Sequence, residues 1–597
     1  MLKSKVMTLV TVMVCGVCHG QARMERITDS VFFYDYAVHC PQCKKDIVSD
    51  ERDVFEAPGE DGSMKKWSKR TLAAVYATMC SGMGQRTLTR ITTAIGLKYL
   101  AKSQYHKYKD MIIAFVNNIA YDHLLTVCGP IVYDYYVRYR NAIPDKDGII
   151  DIYVMIDGSW KSRGWVSILG VGTLIEYFTG ILLDFEPFSK NCKVCNTYTN
   201  KVNKQKMTRV EYEAWKKTHE KSGKCDLNFE GSSGMMEVQA AENMFKRSVA
   251  RYNMRYKYII SDGDSKTFKN LTDVKPYGPN FEMIKRDCLN HQEKKMGTGL
   301  RKERDIPLLP EVLTEQLSIT TKSPKVKGKG TPLSKGLKRL NSSDKKKAQV
   351  KIYTTMKGKN GLTDSDIDAH QRYYKISLRS HSTAQEMNKA IWGTFLHFTS
   401  TDDVPRHIFC NIKWCWFLKY EKDKEEAEKK WDEDCAKSDN PFYSKKFDEK
   451  AYHRKNFLGH ENVKRRIKFE EGSEPYKRIR YVYTRLSNNQ ILERCEDKFT
   501  QNAVESMHRR YWMMCPKHKY SAFPSFKFSL AQNVLFYHFG YDKGNLLNHF
   551  GIEATKGMKS LWSSQEYDRK KVVVSKPRKK KSKKCDSYAS GEHDIDV

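Results

Sequence analysis

Two acidic residues close an apolar, β-prone run in "YKYIISDGDSKTF" (256–268), where Asp262 and Asp264 stand on either side of Gly263. Asp-Gly is common turn chemistry, and Asp and Ser make local side-chain to backbone bonds, so a turn alone would account for them. The sharper possibility is a divalent-metal ligand: Mg²⁺ prefers hard oxygen donors and keeps exchangeable waters, but it needs partner carboxylates elsewhere in the chain. Asp157, in "VMIDGSW", is one such partner near the end of an earlier apolar strand. Thiolates offer a second chemistry. Cys15-x2-Cys18 and Cys40-x2-Cys43 flank the β-like run "RITDSVFFYDYAV", and paired CxxC knuckles around a short hairpin form a zinc-ribbon pattern, because four thiolates complete a tetrahedral shell. The opening "MLKSKVMTLVTVMVCGVCHG" has in addition the basic start and short apolar stretch of a secretory signal peptide, in which case the cysteines would be disulfide-bonded. Against secretion, "SKPRKKKSKK" (575–584) resembles a nuclear localisation signal and points to the nucleus.

The aspartates need a scaffold, and the periodicity supplies one. From about residue 151 three strand-like runs follow one another, "DIYVMIDGSW", "WVSILGVGTLIE" and "GILLDFEPFS", separated by short turns. A helix over about 236–253 leads to the strand that ends at Asp262. The order β-β-β-α-β is that of a ribonuclease H-like domain, in which the strand after the helix lies parallel to the first. Adjacent parallel strands are only ~5 Å apart, so Asp157 and Asp262 are expected to share metal ions, with a third acid arriving from a later helix. Asp262 follows its strand directly and is fixed by the sheet, whereas Asp264 lies beyond Gly263 and suits the turn or a helix cap. The expected fold class is therefore α/β, a ribonuclease H-like catalytic core with a long helical insertion, preceded by a zinc-ribbon-like segment and a helical module.

The 597 residues suffice for about three or four domains. With 105 Lys and Arg against 71 Asp and Glu, the formal net charge is +34, spread along the chain. A polyanionic partner follows, nucleic acid ahead of a membrane surface. No single apolar run reaches the ~18 to 20 residues of a spanning helix. Residues 68–121 read as three helices with a Gly82-Met83-Gly84 break after the first. That is either a helix-turn-helix presenting Gln85, Arg86, Thr89 and Arg90 to DNA, or ordinary helical packing. A Lys, Gly and Ser-rich basic stretch over about 321–350 precedes helical segments such as "TDSDIDAHQRYYKISL" and the charged "YEKDKEEAEKKWDEDCAK", the latter read as a solvated helix face.

Taken in order, "DGSW", "CKVC", "FEGSSGMMEVQAAENMF", "SDGDSKTF", "CLNHQEKKMGTGLRK", "GKNGLTD" and "TQNAVESMHRRYWMMCPK" make the chain, over roughly residues 10–570, resemble the Mutator-like transposases, specifically the animal-type domain. The resemblance implies a DDE nuclease that cuts and joins DNA at terminal inverted repeats. Asp157 and Asp262 match the two aspartates and Glu505 in "QNAVES" the glutamate, together holding Mg²⁺ or Mn²⁺. Cys288 and His291 match the family's CxxH signature beside the site, although a strand-to-helix junction would use the same residue types. Members commonly carry a Cys/His cluster in the loop before the first core helix. Here that is Cys192, Cys195, His219 and Cys225, as structural Zn²⁺ ligands or as free thiols. "ESMH" departs from the frequent "ESFN", with Met507 and His508 in place of an aromatic and an amide, which alters the surroundings of Glu505. The implied partner is double-stranded DNA (terminal inverted repeats and target), bound by a homo-oligomer. A host protein derived from a transposase, binding DNA without cutting it, is the alternative. The expected domains are 1–60 (zinc ribbon), 61–145 (helical), 146–302 (first part of the core, with the Cys/His loop at 187–231), 303–498 (basic linker and insertion), 499–570 (remainder of the core) and 571–597 (basic tail).

Overall fold

The computed structural model describes residues 17–574 except 20, 22, 29–34, 45, 50–53, 59–62, 96–98, 163–166, 263–265, 307–355, 358–360, 439–445, 463–466, 468 and 470. Cys15, Asp264, the basic stretch 321–350 and the tail carrying 575–584 lie outside the described residues. The chain forms two compact units, one of residues 1–259, 265–284 and 501–597, the other of 260–264 and 285–500.

The first unit opens with β1 (Arg23–Thr28), β2 (Asp35–His39) and β3 (Asp46–Ser49), an antiparallel sheet in the order β1-β2-β3. The hairpin of β4 (Val54–Pro58) and β5 (Met64–Ser68) follows. Ser68 accepts from the Thr71 N–H and so caps α1 (Lys69–Cys80). The Gly82–Gly84 break separates it from α2 (Gln85–Ala94). Next come α3 (Lys102–His123) and, through a single π-turn at Leu124–Cys128, α4 (Gly129–Tyr139). By length and composition alone the continuous run Lys102–Tyr139 is apolar enough to cross a membrane, although Lys, Asp and Asn interrupt it and no unbroken apolar stretch there reaches the ~18 to 20 residues of a spanning helix. A core helix has the same composition, and Ile112, Val116 and Ala120 are buried here.

A five-stranded sheet follows, of which residues 260–261 and 285–287 belong to the second unit. Its strands are β6 (Ile150–Trp160), β7 (Leu169–Glu176), β8 (Leu182–Ser189), β9 (Met254–Ser261) and β10 (Ile284–Asp287), in the order β10-β9-β6-β7-β8. β6, β7 and β8 are an antiparallel meander. The loop after β8 carries α5 (Lys193–Asn203) and α6 (Arg209–Lys221), and α7 (Ser233–Tyr252) then crosses the sheet. Asn253 ends α7 in the left-handed conformation with φ 54°, which turns the chain straight into β9. The Ile150 N–H donates to the Asn253 carbonyl at the start of both strands, and Tyr153 stacks on Tyr258 further along. The ladder therefore advances in one direction, so β9 is parallel to β6 and the sheet is mixed. α8 (Lys266–Val274) precedes β10.

Side-chain alternation divides β6 between two faces. Ile152, Val154 and Ile156 join Leu174 of β7 and Met236, Ala240 and Met244 of α7 in one core cluster. Gly158 and Gly172, paired in register, lie on that face, and a Cβ on Gly172 would come within 2.2 Å of the Ala240 Cβ. Only glycine allows α7 to seat this closely. Asp157 and Ser159 point to the opposite face.

The second unit is helical: α9 (Leu289–Asp305), α10 (Asp364–Ser380), α11 (Ala384–Thr399), α12 (Trp416–Lys437), α13 (Glu449–Asn456), α14 (Glu474–Leu486) and the short α15 (Asn489–Glu493). Capping boxes start α10 at Thr363 and Asp366 and α11 at Thr383 and Glu386. Met296, Tyr374, Leu378, Ile391, Phe395 and Tyr483 share its core. In α12 only Tyr420 is buried, as a solvated charged helix requires. The chain re-enters the first unit with α16 (Asn502–Met514), α17 (Phe523–Lys543) and α18 (Lys556–Val574). α17 is buried nearly all round, from Phe526 to Phe536.

Candidate functional site

α16 lies along the Asp157 face of β6, and its contacts repeat at the spacing of one helix stripe. At its start the Gln501 side-chain amide donates to the Ile156 carbonyl at 2.8 Å. Two turns on, His508 places Nε2 3.1 Å from Thr173 Oγ1 and Nδ1 3.6 Å from Asp157 Oδ2. A further turn along, the Trp512 indole N–H donates to Ser159 Oγ at 2.8 Å. Thr173 is the cross-strand partner of Asp157, so one imidazole spans both members of the pair. Residues 501, 505, 508 and 512 occupy successive positions of a single face, and Glu505, half-buried, therefore sits on the stripe that faces Asp157. Burial pushes the His508 imidazole down to about 3, against the opposing pull of the Glu505 carboxylate. Burial therefore favours the neutral imidazole, which lies against both Thr173 and Asp157. The sequence marked this residue only as a departure from a motif.

In the second unit, Asp262 follows β9 directly and its Oδ2 is 3.3 Å from His291 Nδ1. Cys288 is fully buried and caps α9. Its N–H donates to the Ser261 carbonyl at 3.1 Å, and the His291 N–H donates to the Cys288 carbonyl. The two residues of the CxxH pair thus divide their work: Cys288 packs the strand-to-helix junction next to Asp262, and His291 faces the Asp262 carboxylate.

Cys192, Cys195, His219 and Cys225 bring four ligand atoms within 4.8 Å of one another. The Cys192 Sγ to His219 Nε2 distance is 3.4 Å and the Cys195 Sγ to Cys225 Sγ distance 3.6 Å. A regular tetrahedron built on Zn–S of ~2.3 Å and Zn–N of ~2.0 Å has edges of about 3.5 and 3.8 Å, so the set fits Zn²⁺. Against the raising effect of burial, the Cys195 N–H and His219 draw the Cys192 thiol down to about 6, while burial raises Cys195 to about 12. The capping box at Thr208 and Glu211 sets the start of α6 and so the reach of His219. Cys18, Cys40 and Cys43 form a second group within 4.8 Å, with Cys18 and Cys40 sulfurs 3.4 Å apart beside the β1-β2-β3 sheet. All described cysteines are free thiols.

A Mutator-like transposase family model matches residues 4–415. The chain belongs to that family. The matched span of this Mutator-like chain includes Asp157, Asp262, Cys288, His291 and the first two cysteine groups, and it ends before Glu505, whose placement rests on the α16 stripe. No curated protein matches the chain. On the helix that follows the glycine break in this transposase chain, Arg86 and Arg90 are exposed, while the Gln85 amide is held by Thr89 Oγ1 and the Leu100 carbonyl, both at 3.0 Å. A third group, His123, Cys128 and His538, is a core network rather than an open ligand set. His538 Nε2 accepts from the Leu182 N–H at 3.1 Å and its Nδ1 meets His123 Nε2 at 3.1 Å, so both ring nitrogens are used.

Proposed function

We propose that this Mutator-like chain is a DDE-type transposase that cuts and joins DNA at terminal inverted repeats on a ribonuclease H-like core. Asp157, Asp262 and Glu505 would hold two Mg²⁺ or Mn²⁺ ions, carboxylates being the donors such cations prefer. With the ions bound, a set of this kind supplies activation of water or of a DNA 3′-hydroxyl and stabilisation of the departing oxygen. The observation that carries the reading is the α16 stripe, which turns Glu505 to the Asp157 face and clamps that face with Gln501, His508 and Trp512. His508 and His291 act as positioning residues for Asp157 and Asp262. Preorganised carboxylates on rigid elements are what a metal-assisted in-line displacement requires.

The net charge of +34 supports binding through phosphate contacts, with Arg86 and Arg90 among the candidates. We read the Cys192 group as a structural zinc site and Cys18, Cys40 and Cys43, completed by Cys15, as a zinc ribbon. A nuclear location, a homo-oligomeric assembly on DNA and the domain limits given above belong to the same reading. The test is Mg²⁺-dependent cleavage of a labelled terminal-repeat duplex. Asp157→Asn, Asp262→Asn and Glu505→Gln should each abolish cutting and leave DNA binding largely intact, while Asp264→Asn stays active. Normal cutting by Asp262→Asn would overturn the assignment.

A further inference from the structure

The irregular segment between α11 and α12 has a metal-ligand geometry that the sequence pattern concealed. Four side chains meet there: His397 in the last turn of α11, His407 and Cys410 in the connecting segment, and Cys415 at the N-cap of α12. We propose that they bind one structural Zn²⁺ through His397 Nδ1, His407 Nδ1, Cys410 Sγ and Cys415 Sγ. The two imidazole nitrogens are 3.3 Å apart. Cys410 Sγ lies 3.7 Å from His397 Nδ1 and 3.5 Å from His407 Nδ1, and Cys415 Sγ lies 3.7 and 3.4 Å from the same atoms. A tetrahedral zinc centre with Zn–N of ~2.05 Å and Zn–S of ~2.3 Å has N–N edges of about 3.3 Å and N–S edges of about 3.6 Å. Every measured edge falls within ~0.2 Å of those values, and a tetrahedral S₂N₂ set selects zinc over the harder divalent cations.

The outer hydrogen bonds supply an independent reason. Asp402 Oδ1 is 2.6 Å from His460 Nδ1, and His460 Nε2 is 2.8 Å from His407 Nε2. Asp402 is an acceptor, so His460 carries its proton on Nδ1 and accepts at Nε2. His407 must then be the donor at Nε2, which leaves a lone pair on Nδ1, the atom aimed at the thiols. A carboxylate–His chain that fixes the tautomer of a ligating imidazole is the usual surrounding of a zinc-bound histidine. Cys415 is fully buried, and two thiols and two ring nitrogens crowded together without a cation would leave lone pairs opposed. The segment from 400 to 415 contains no helix or strand, and connections of this length seldom hold a shape unaided. Zinc would fasten the end of α11 to the start of α12.

The experiment uses the full chain purified in reducing buffer, with zinc quantified per protein. Cys410→Ser and Cys415→Ser should each lose one equivalent relative to the unaltered chain while Cys192 and Cys195 stay protected from alkylation. An unchanged zinc ratio in both variants refutes the site. Because a variant could misfold, the same question is put to the unaltered protein. Cys410 alkylation, followed by mass spectrometry under native conditions, should speed up at least about tenfold when a zinc chelator is added and slow again on zinc return. Equal rates with and without chelator overturn the proposal.

Discussion

Replacing Gly172 by Ala tests how tightly α7 is seated on the sheet. The added Cβ would stand 2.2 Å from the Ala240 Cβ, where carbon atoms normally keep at least ~3.5 Å. Helix and strand must therefore separate by about 1.3 Å. Overpacking of this kind costs roughly 1 to 3 kcal/mol, and the upper end applies because the obstacle is fixed to a helix backbone. Ala240→Gly removes that atom, and the next neighbours of the new methyl, Met244 Cε at 3.5 Å and Ala240 Cα at 3.6 Å, are at ordinary contact. The second change alone costs about 1 kcal/mol of helix propensity. The double variant should then be about 2 kcal/mol more stable than the sum of the singles predicts. Unfolding of a two-unit chain is unsuited to a single transition, so the readout is native-state hydrogen exchange of β7 and α7 amides. If Gly172→Ala leaves those amides as protected as before, or if Ala240→Gly gives no rescue, the close seating described here is wrong.

Asp184 is fully buried and receives two 2.7 Å bonds from Arg247, so Asp184→Asn should cost about 3 kcal/mol in the exchange stability of β8 by leaving the guanidinium poorly compensated. Burial holds the His370 imidazole at about 4, with Nδ1 2.6 Å from Tyr483 Oη. Its unfolded value is ~6.5, so the unfolded state takes up the extra proton: stability is complete above pH ~6.5 and falls as pH drops towards 4, by about 2 kcal/mol at pH 5. Exchange of α10 amides, corrected for intrinsic rates, should show this loss, and His370→Gln should flatten it. Cys225→Ser should lower bound zinc by one equivalent and raise the alkylation rate of Cys192; unchanged zinc would remove that site. Affinity for DNA should fall with log salt at about −0.9 per neutralised phosphate, and a flat response would refute phosphate-led binding.

Much of the five-stranded sheet could be read from the chain because its signals are local. The runs ending at Trp160, Glu176 and Ser189 are strand-like by themselves, and Asp262 announced itself by following an apolar run without a gap. Glu505 was different: on a polar helix it looks like surface, and only the return of α16 to the Asp157 face gives it a place. His508 could be flagged but not understood, since its partners, Thr173 and Asp157, lie more than three hundred residues away. The α11–α12 ligands escaped notice for a related reason. Their spacing, His397-x9-His407-x2-Cys410-x4-Cys415, contains no CxxC, and the histidine that fixes their tautomer is remote in sequence. Local pattern finds strands, turns and knuckles; it does not find chemistry assembled by a distant helix.

The division of the first unit into separated stretches has a consequence for synthesis. Residues 285–500 intervene before α16 and α17 leave the ribosome, a delay of roughly 10 to 45 s at ~5–20 residues per second. Until then Thr173, Ser159 and the Ile156 carbonyl have no cover, and Tyr76 lacks Gln532, to which it donates at 2.8 Å in the finished protein. A nascent chain therefore carries an open sheet face for most of its translation, and it cannot present Glu505 at all before the residues that follow 500, about a sixth of the 597, begin to emerge. Such a chain gains by holding chaperones during elongation, and one released early has every aspartate of the proposed site but not its glutamate.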